Sequence, residues 1–267
     1  MRTTLLILSA ALLCVARPAM AQAKTEPAKP AAKAKTQGTW WGHAAWVIET
    51  PGGARIAIDP WLSNPMAPKG AAKPTELDAI LVSHGHSDHV GDAQALSKQT
   101  GASIYGSFEL VNLLGGGDKD VGGNVGGSWK VKDATIHMVE AVHSSGFGDD
   151  PKGPKYGGPA MGFVIQIDDG PTIYHAGDTA AFASMDTIIG RHLKPTVALL
   201  PIGGHFTMDP EAAALATRML RVRTVVPMHY GTFPLLKGTP AQLSDALRRE
   251  RSSAKVVAPK PGETITF

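Results

Sequence analysis

The stretch Ala79-Ile80-Leu81-Val82-Ser83-His84-Gly85-His86-Ser87-Asp88-His89 decides how the rest of the chain is read. Its first four residues form a continuous apolar run, the pattern of a short strand buried on both faces. Directly behind it stand His84, His86, Asp88 and His89, four ligand-type side chains within six residues. In an extended segment alternate side chains project to one side, so His84 and His86 address the same point. Asp88 and His89 lie one turn further on and can face a second ion. A single-zinc helix motif sets two histidines four residues apart, and this spacing does not. The segment predicts a metal centre at the carboxyl end of a buried strand.

Upstream, residues 44–49 and 54–58 are apolar, β-branched runs around Pro51-Gly52-Gly53 and read as a hairpin. Downstream, the pattern predicts helices at 92–99 and 108–114 and a strand at 103–105. The glycine-rich residues 115–127 lack the Gly-Lys-Ser/Thr ending of a phosphate-cradling loop and read as a long turn. Strands are predicted at 135–142, 162–167, 172–175, 197–201 and 224–227, with a last one near Thr264. Asp209-Pro210-Glu211 opens a helix to about Leu220, with Asp as cap and Pro at the first helical position. A further helix, 239–251, begins likewise with Thr-Pro. No internal repeat stands out. Early hairpins followed by alternating strands and helices predict an α/β fold of two sheets flanked by helices, in four layers.

More ligand-type residues fall at strand ends. His143 follows the strand 135–142, Asp178 follows 172–175, and His229 follows Val225-Val226-Pro227-Met228. Each alone would read as structural; beside the cluster they supply the additional donors that two divalent ions need. Asp59, at a hairpin strand end, is either a partner fixing the tautomer of a ligand histidine or a turn aspartate before Pro60. His43 either lines the pocket or is a satisfied structural histidine. His205, in a Gly-Gly-His turn after a strand, is read as exposed into the crevice for substrate contact or transition-state stabilisation. His175 is read as supporting Asp178 rather than binding metal. His137 and His192 read as structural or surface residues, and Trp40, Trp41 and Tyr156 as core packing.

The 267 residues are 43% hydrophobic and 18% charged, enough apolar material for a large core. Residues 1–21 have the basic start, apolar run and Ala19-Met20-Ala21 pattern of a signal peptide, with cleavage after Ala21. The apolar run is shorter than the roughly 20 residues of a membrane-spanning helix. The chain is therefore expected to be periplasmic or secreted, with no integral span after cleavage. Cys14, the one cysteine, lies in that leader behind Leu13, a poor lipobox residue, so no thiol remains as nucleophile, ligand or disulfide partner. Residues 22–38 are Ala, Lys and Pro and read as a flexible spacer before a hydrolase domain at 39–267. The net charge is +3; losing Arg2 and Arg17 leaves +1, and the spacer's four lysines against Glu26 leave the body at about −2. A near-neutral body argues against a nucleic-acid partner.

The chain resembles the metallo-β-lactamase superfamily, and is similar in particular to metal-dependent hydrolases related to L-ascorbate-6-phosphate lactonase. Besides the histidine cluster, Ile58-Asp59-Pro60, Tyr174-His175-Ala176-Gly177-Asp178-Thr179, the stretch Pro201 to Met208 and the stretch Pro227 to Phe233 carry the likeness, which spans about Trp41 to Gly262. The resemblance implies an αββα sandwich. It implies that His84, His86 and His143 hold one ion, that Asp88, His89 and His229 hold the other, and that Asp178 bridges them. Mixed imidazole and carboxylate donors suit zinc best, with manganese or iron as alternatives. The expected activity is hydrolysis of a small ester, lactone or phosphoester by a metal-bridging hydroxide, with Asp88 handling a proton. A phosphodiesterase of the N-acyl-phosphatidylethanolamine phospholipase D type is the alternative. A β-lactamase ranks lower because Asp178 offers a bridging carboxylate and no cysteine serves the second site. A non-catalytic metal-binding module ranks lower because no ligand is missing. Physiological substrate and oligomeric state are not legible.

Overall fold

The computed structural model describes residues 35–267. The expected signal peptide at 1–21 and most of the expected spacer lie outside those residues. Regular structure begins at Gln37, two residues ahead of the expected start, because Gln37 and Gly38 already pair with neighbours on both sides. In chain order the first half comprises β1 (Gln37–Gly42), β2 (Ala45–Glu49), β3 (Arg55–Ile58), β4 (Ala79–Leu81), α1 (Ser87–Val90), α2 (Ala93–Thr100), β5 (Ser103–Ser107), α3 (Phe108–Leu113) and β6 (Val121–Gly123). There follow β7 (Ser128–Val131), β8 (Ala134–Glu140), β9 (Gly146–Phe147), β10 (Lys155–Tyr156), β11 (Met161–Ile167), β12 (Thr172–His175), a π-helix (Met185–Leu193), β13 (Val197–Pro201), α4 (Pro210–Leu220), β14 (Thr224–Met228), α5 (Pro240–Arg249), β15 (Lys255–Val256) and β16 (Thr264–Thr266).

Two seven-stranded sheets result, ordered β16-β1-β2-β3-β4-β5-β6 and β15-β14-β13-β12-β11-β8-β7. The first is antiparallel up to β3 and parallel from β3 to β6. The second is parallel from β15 to β12 and antiparallel from β12 to β7. The two halves thus share a plan that leaves no residue-level repeat. Period-2 alternation explains the layering: Trp40, Trp46 and Ile48 join one core with Ile136, Phe163 and Tyr174 of the second sheet. Trp41, Ala45 and Val47 point the other way, into a separate apolar layer with Leu96 of α2 and Leu110 of α3. Ala213, Ala216 and Leu220 of α4 and Leu243 and Leu247 of α5 pack with the core of the second sheet. This is the predicted αββα arrangement. Each large side chain buried in it contributes roughly 2 kcal/mol.

Both predicted helix starts are capped. Asp209 accepts from Ala212 N at 2.8 Å, and Thr239 forms a capping box with Gln242. Three expectations are corrected. The glycine-rich 115–127 is not one long turn but contains β6, paired parallel with β5. The π-helix and the small β9–β10 pair stand where no element was expected. The strands are two or three residues long and β6 and β9 contain glycine, and a π-helix departs from the α-helical period, so no periodicity marked them.

Gly238, just ahead of α5, joins this fold to the loop after β13. Its N–H donates to Gly203 O at 3.2 Å, and a Cβ there would stand 1.7 Å from the carbonyl oxygen of Ile202. Backbone on both sides leaves no flexible group to yield. Gly238→Ala is expected to destabilise the protein by about 3 kcal/mol, lowering Tm by about 6–12 °C in thermal unfolding.

Candidate metal centre

Every ligand-type residue picked out in the sequence, His205 excepted, arrives at one edge of the two sheets. β3, β4 and β5 run parallel, as do β12, β13 and β14, so their carboxyl ends share an edge within each sheet. Asp59 follows β3, His84 and His86 follow β4, and α1 carries Asp88 and His89. His143 follows β8, Asp178 follows β12 and His229 follows β14. His43 comes from the tight β1–β2 turn, where its carbonyl accepts from His229 N at 2.9 Å and from Trp40 Nε1 at 3.0 Å. Gly85 is required between the two histidines, since a Cβ there would stand 2.9 Å from Gly146 O of β9.

His84, His86 and His143 can bring one nitrogen each to a common point, and His43, Asp88, His89 and His229 can do the same with their donor atoms. Asp178 lies between the groups: its Oδ2 is 3.0 Å from His229 Nε2, 3.3 Å from His89 Nε2 and 3.5 Å from His143 Nε2. His43, Asp59 and His229 all adopt positive φ, at 52°, 44° and 53°. Left-handed backbone is costly for side chains of this kind and concentrates at functional sites.

The hydrogen bonds fix which ring atoms face inward. Asp59 Oδ1 accepts from Ser83 N at 2.7 Å, and its Oδ2 accepts from Ser83 Oγ at 2.7 Å and from His89 Nδ1 at 2.8 Å. Because Ser83 donates its proton to Asp59, its oxygen is left to accept from His84 Nδ1 at 3.0 Å. One carboxylate therefore sets two histidines with Nε2 turned into the site. The sequence offered two readings of Asp59, and the positioning one is found. Asp59→Asn keeps the shape but weakens this anchor, and is expected to lower metal affinity about 10- to 100-fold in a competition titration.

His43 sits against the other flank. Its Nε2 is 3.0 Å from Asp88 Oδ2 and its Nδ1 is 2.9 Å from Thr232 Oγ1. Burial lowers its pKa to about 4, against the hydrogen bond to Asp88. Burial alone would raise Asp88, but the hydrogen bond from His43 and the nearby His89 hold it well below the usual carboxylate range. The neutral His43 thus donates Nε2–H to an ionised Asp88. His175 is satisfied elsewhere: Nε2 donates to Ala44 O at 3.0 Å, and Nδ1 accepts from Gly177 N at 3.2 Å. It shapes the turn that presents Asp178, as expected.

The donor set fits a cation. Burial keeps His84 well below the ordinary histidine range and lowers His86 and His143, so their lone pairs are free at neutral pH. His84 Nε2 and His86 Nδ1 lie 2.9 Å apart, and with His143 they can address one ion. For His89, burial would lower the pKa, but Asp178 and Asp59 hold it well above its usual value. Burial would raise Asp178, yet His229 and His89 hold it well below its own. Among the described residues, His229 Nδ1 and Asp178 Oδ1 are buried without a hydrogen-bond partner, and His89 Nε2 and His229 Nε2 have only the Asp178 carboxylate beside them. Such orphaned atoms cost about 1–3 kcal/mol each unless a ligand takes them.

The centre opens into a crevice of about 880 Å³. Its floor is His86, Asp88, His143, Asp178 and His229, and its wall is Trp61, Phe206, Phe233, Pro234 and Leu235. His205 was expected in this crevice. It lines an adjoining cavity of about 460 Å³ instead, with its ring edge-on to Phe206 at 4.4 Å. His205 adopts φ 61°, and its neighbour Phe206 rather than His205 lines the crevice. Trp61 and Phe233 were not singled out as site residues; Trp61 lies two residues after Asp59, and Phe233 four after His229.

The chain is similar to known metal-dependent hydrolases. Residues 37–229 match the β-lactamase superfamily domain. A UPF0173 metal-dependent hydrolase of Myxococcus xanthus is 57% identical, over 100% of this chain and 99% of its own length. A second, from an Anaeromyxobacter species, is 51% identical over 89% of both chains. The solved metallo hydrolase Igni18 of Ignicoccus hospitalis is 39% identical, with a TM-score of 0.76 over 88% of this chain and 99% of that one. The chain belongs to the UPF0173 metal-dependent hydrolases of the metallo-β-lactamase superfamily.

Proposed function

We propose that the chain is an exported binuclear hydrolase acting on a small ester, lactone or phosphoester, with a leader at 1–21 and a spacer ahead of the hydrolase domain. The observation that carries the reading is Asp178, whose Oδ2 lies within 3.5 Å of one histidine from the first donor group and two from the second. His84, His86 and His143 would hold one ion and Asp88, His89 and His229 the other, zinc suiting this set best. Bound there, a pair of divalent ions supplies Lewis acidity and a water ionised near neutral pH.

The chain's own residues do the rest. Asp59 and Ser83 hold His84 and His89 in the ligating tautomer. Asp88, ionised and fixed by His43, is placed on the crevice floor to take up a proton and return it to a leaving group. The apolar wall excludes water from the far side of the substrate.

Elemental analysis of purified protein, together with an ester, lactone, phosphodiester, N-acyl-phosphatidylethanolamine and nitrocefin screen, tests this reading. About two equivalents of metal and turnover of a lactone or ester are expected. Preferred turnover of N-acyl-phosphatidylethanolamine would favour the phosphodiesterase alternative, and a metal-replete but inert protein would remove the hydrolase reading.

A further inference from the structure

The walls of the crevice carry a charge pattern that narrows the substrate. On one flank stand Trp61, Phe206, Phe233, Pro234 and Leu235, and among the described residues no lysine or arginine lines the crevice. The wall is rigid as well as apolar. Trp61 and Phe233 stack at 5.9 Å and 25°, and the ring of His43 meets both edge-on, at 5.4 and 5.5 Å. His43 is itself tied to Asp88 and Thr232. The aromatic surface is therefore held in place before any ligand arrives, which reduces the ordering cost of binding an apolar group.

The other exits offer an anion nothing better. Beyond His86 and Asp88 a second opening of about 440 Å³ is flanked by Asp149 and Asp150. The adjoining cavity beside Phe206 does contain Lys237 and Arg249, but Asp209, Glu211 and Asp245 line it too. Arg249 is paired with Glu211 there. The nearby N-termini of α4 and α5 are already capped by Asp209 and Thr239. A carboxylate or phosphate remote from the scissile bond would have to be desolvated against aromatic rings or beside carboxylates, with Lys237 of the adjoining cavity as its sole counter-charge among the described residues there.

Resting on the hydrolase reading above, we infer that the substrate is an ester or lactone whose distal part is an uncharged apolar acyl or aryl group lying on the Trp61–Phe233 wall. A crevice of about 880 Å³ exceeds what the reacting group alone needs and accommodates such a tail. The same wall disfavours substrates with a distal phosphate.

The test uses the metal-replete full chain and three γ-lactone series: alkyl tails of increasing length, phenyl-terminated tails, and tails of matched length ending in a carboxylate. For the alkyl series kcat/KM is expected to rise about fourfold per methylene until the wall is covered. The carboxylate-ended lactones should fall at least about a hundredfold below their neutral counterparts. A steeper gain with phenyl than with alkyl tails identifies the distal group as aryl, and the reverse identifies it as acyl. Phe206 is 49% exposed, so its replacement tests the wall without opening the core. Phe206→Lys is expected to flatten the alkyl dependence and raise kcat/KM for carboxylate-ended lactones. A flat chain-length dependence in the unmodified protein, or faster turnover of the anionic series, overturns the inference and leaves the hydrolase reading standing. Loss of all ester, lactone and phosphodiester turnover in metal-replete protein removes both.

Discussion

Asp178→Asn is expected to lower kcat/KM about a thousandfold and to leave the purified protein short of metal. The carboxylate stands 3.0, 3.3 and 3.5 Å from nitrogens of His229, His89 and His143. It is a buried side chain that lies beside nitrogens of both donor groups. Asparagine has almost the same shape, so the change removes charge rather than volume. A unit charge about 4 Å from its partner, at an effective dielectric near 20, corresponds to about 4 kcal/mol, or about three powers of ten in rate or affinity. Metal content by elemental analysis, read beside the rate, separates loss of an ion from loss of chemistry alone. Full metal content with unimpaired turnover would show that Asp178 does not link the two groups.

Metal removal is the second large effect. A ligand that binds only the folded state, present at about a thousand times its dissociation constant, stabilises by about 4 kcal/mol. For a domain of this size, stripping the protein with a chelator should therefore lower Tm by about 8–16 °C. The structural reason is the buried donor cluster, in which Asp178 Oδ1 and His229 Nδ1 have no partner and His89 Nε2 and His229 Nε2 share the one Asp178 carboxylate. Without a cation these desolvated groups are incompletely satisfied. Adding zinc back should restore the original midpoint; a Tm that ignores both chelator and zinc would mean that these atoms hold nothing.

Much of this was legible because it is local. A buried strand followed by His84, His86, Asp88 and His89 announces metal chemistry through residue type and spacing alone. The Asp209 and Thr239 caps were readable in the same way, since a cap is satisfied within three or four residues of itself. β6, the β9–β10 pair and the π-helix were not. The strands are two or three residues long, β6 ends in two glycines that leave no side-chain period to read, and the nine-residue π-helix departs from the α-helical period.

His84, His86, Asp88 and His89 stand as they were first read, at the end of a buried strand. Through residue type and spacing, and through the resemblance they carry, the chain by itself determined the class of chemistry and the four-layer fold that carries it. Tertiary structure decided which donors meet, because His43 and His229 are 186 positions apart in sequence yet their ring centroids lie 3.8 Å apart. It also decided that Asp59 serves two histidines at once, and that Phe206 rather than His205 faces the crevice. Those outcomes depend on where strand ends converge and on the sign of single φ angles, and neither is written in residue type.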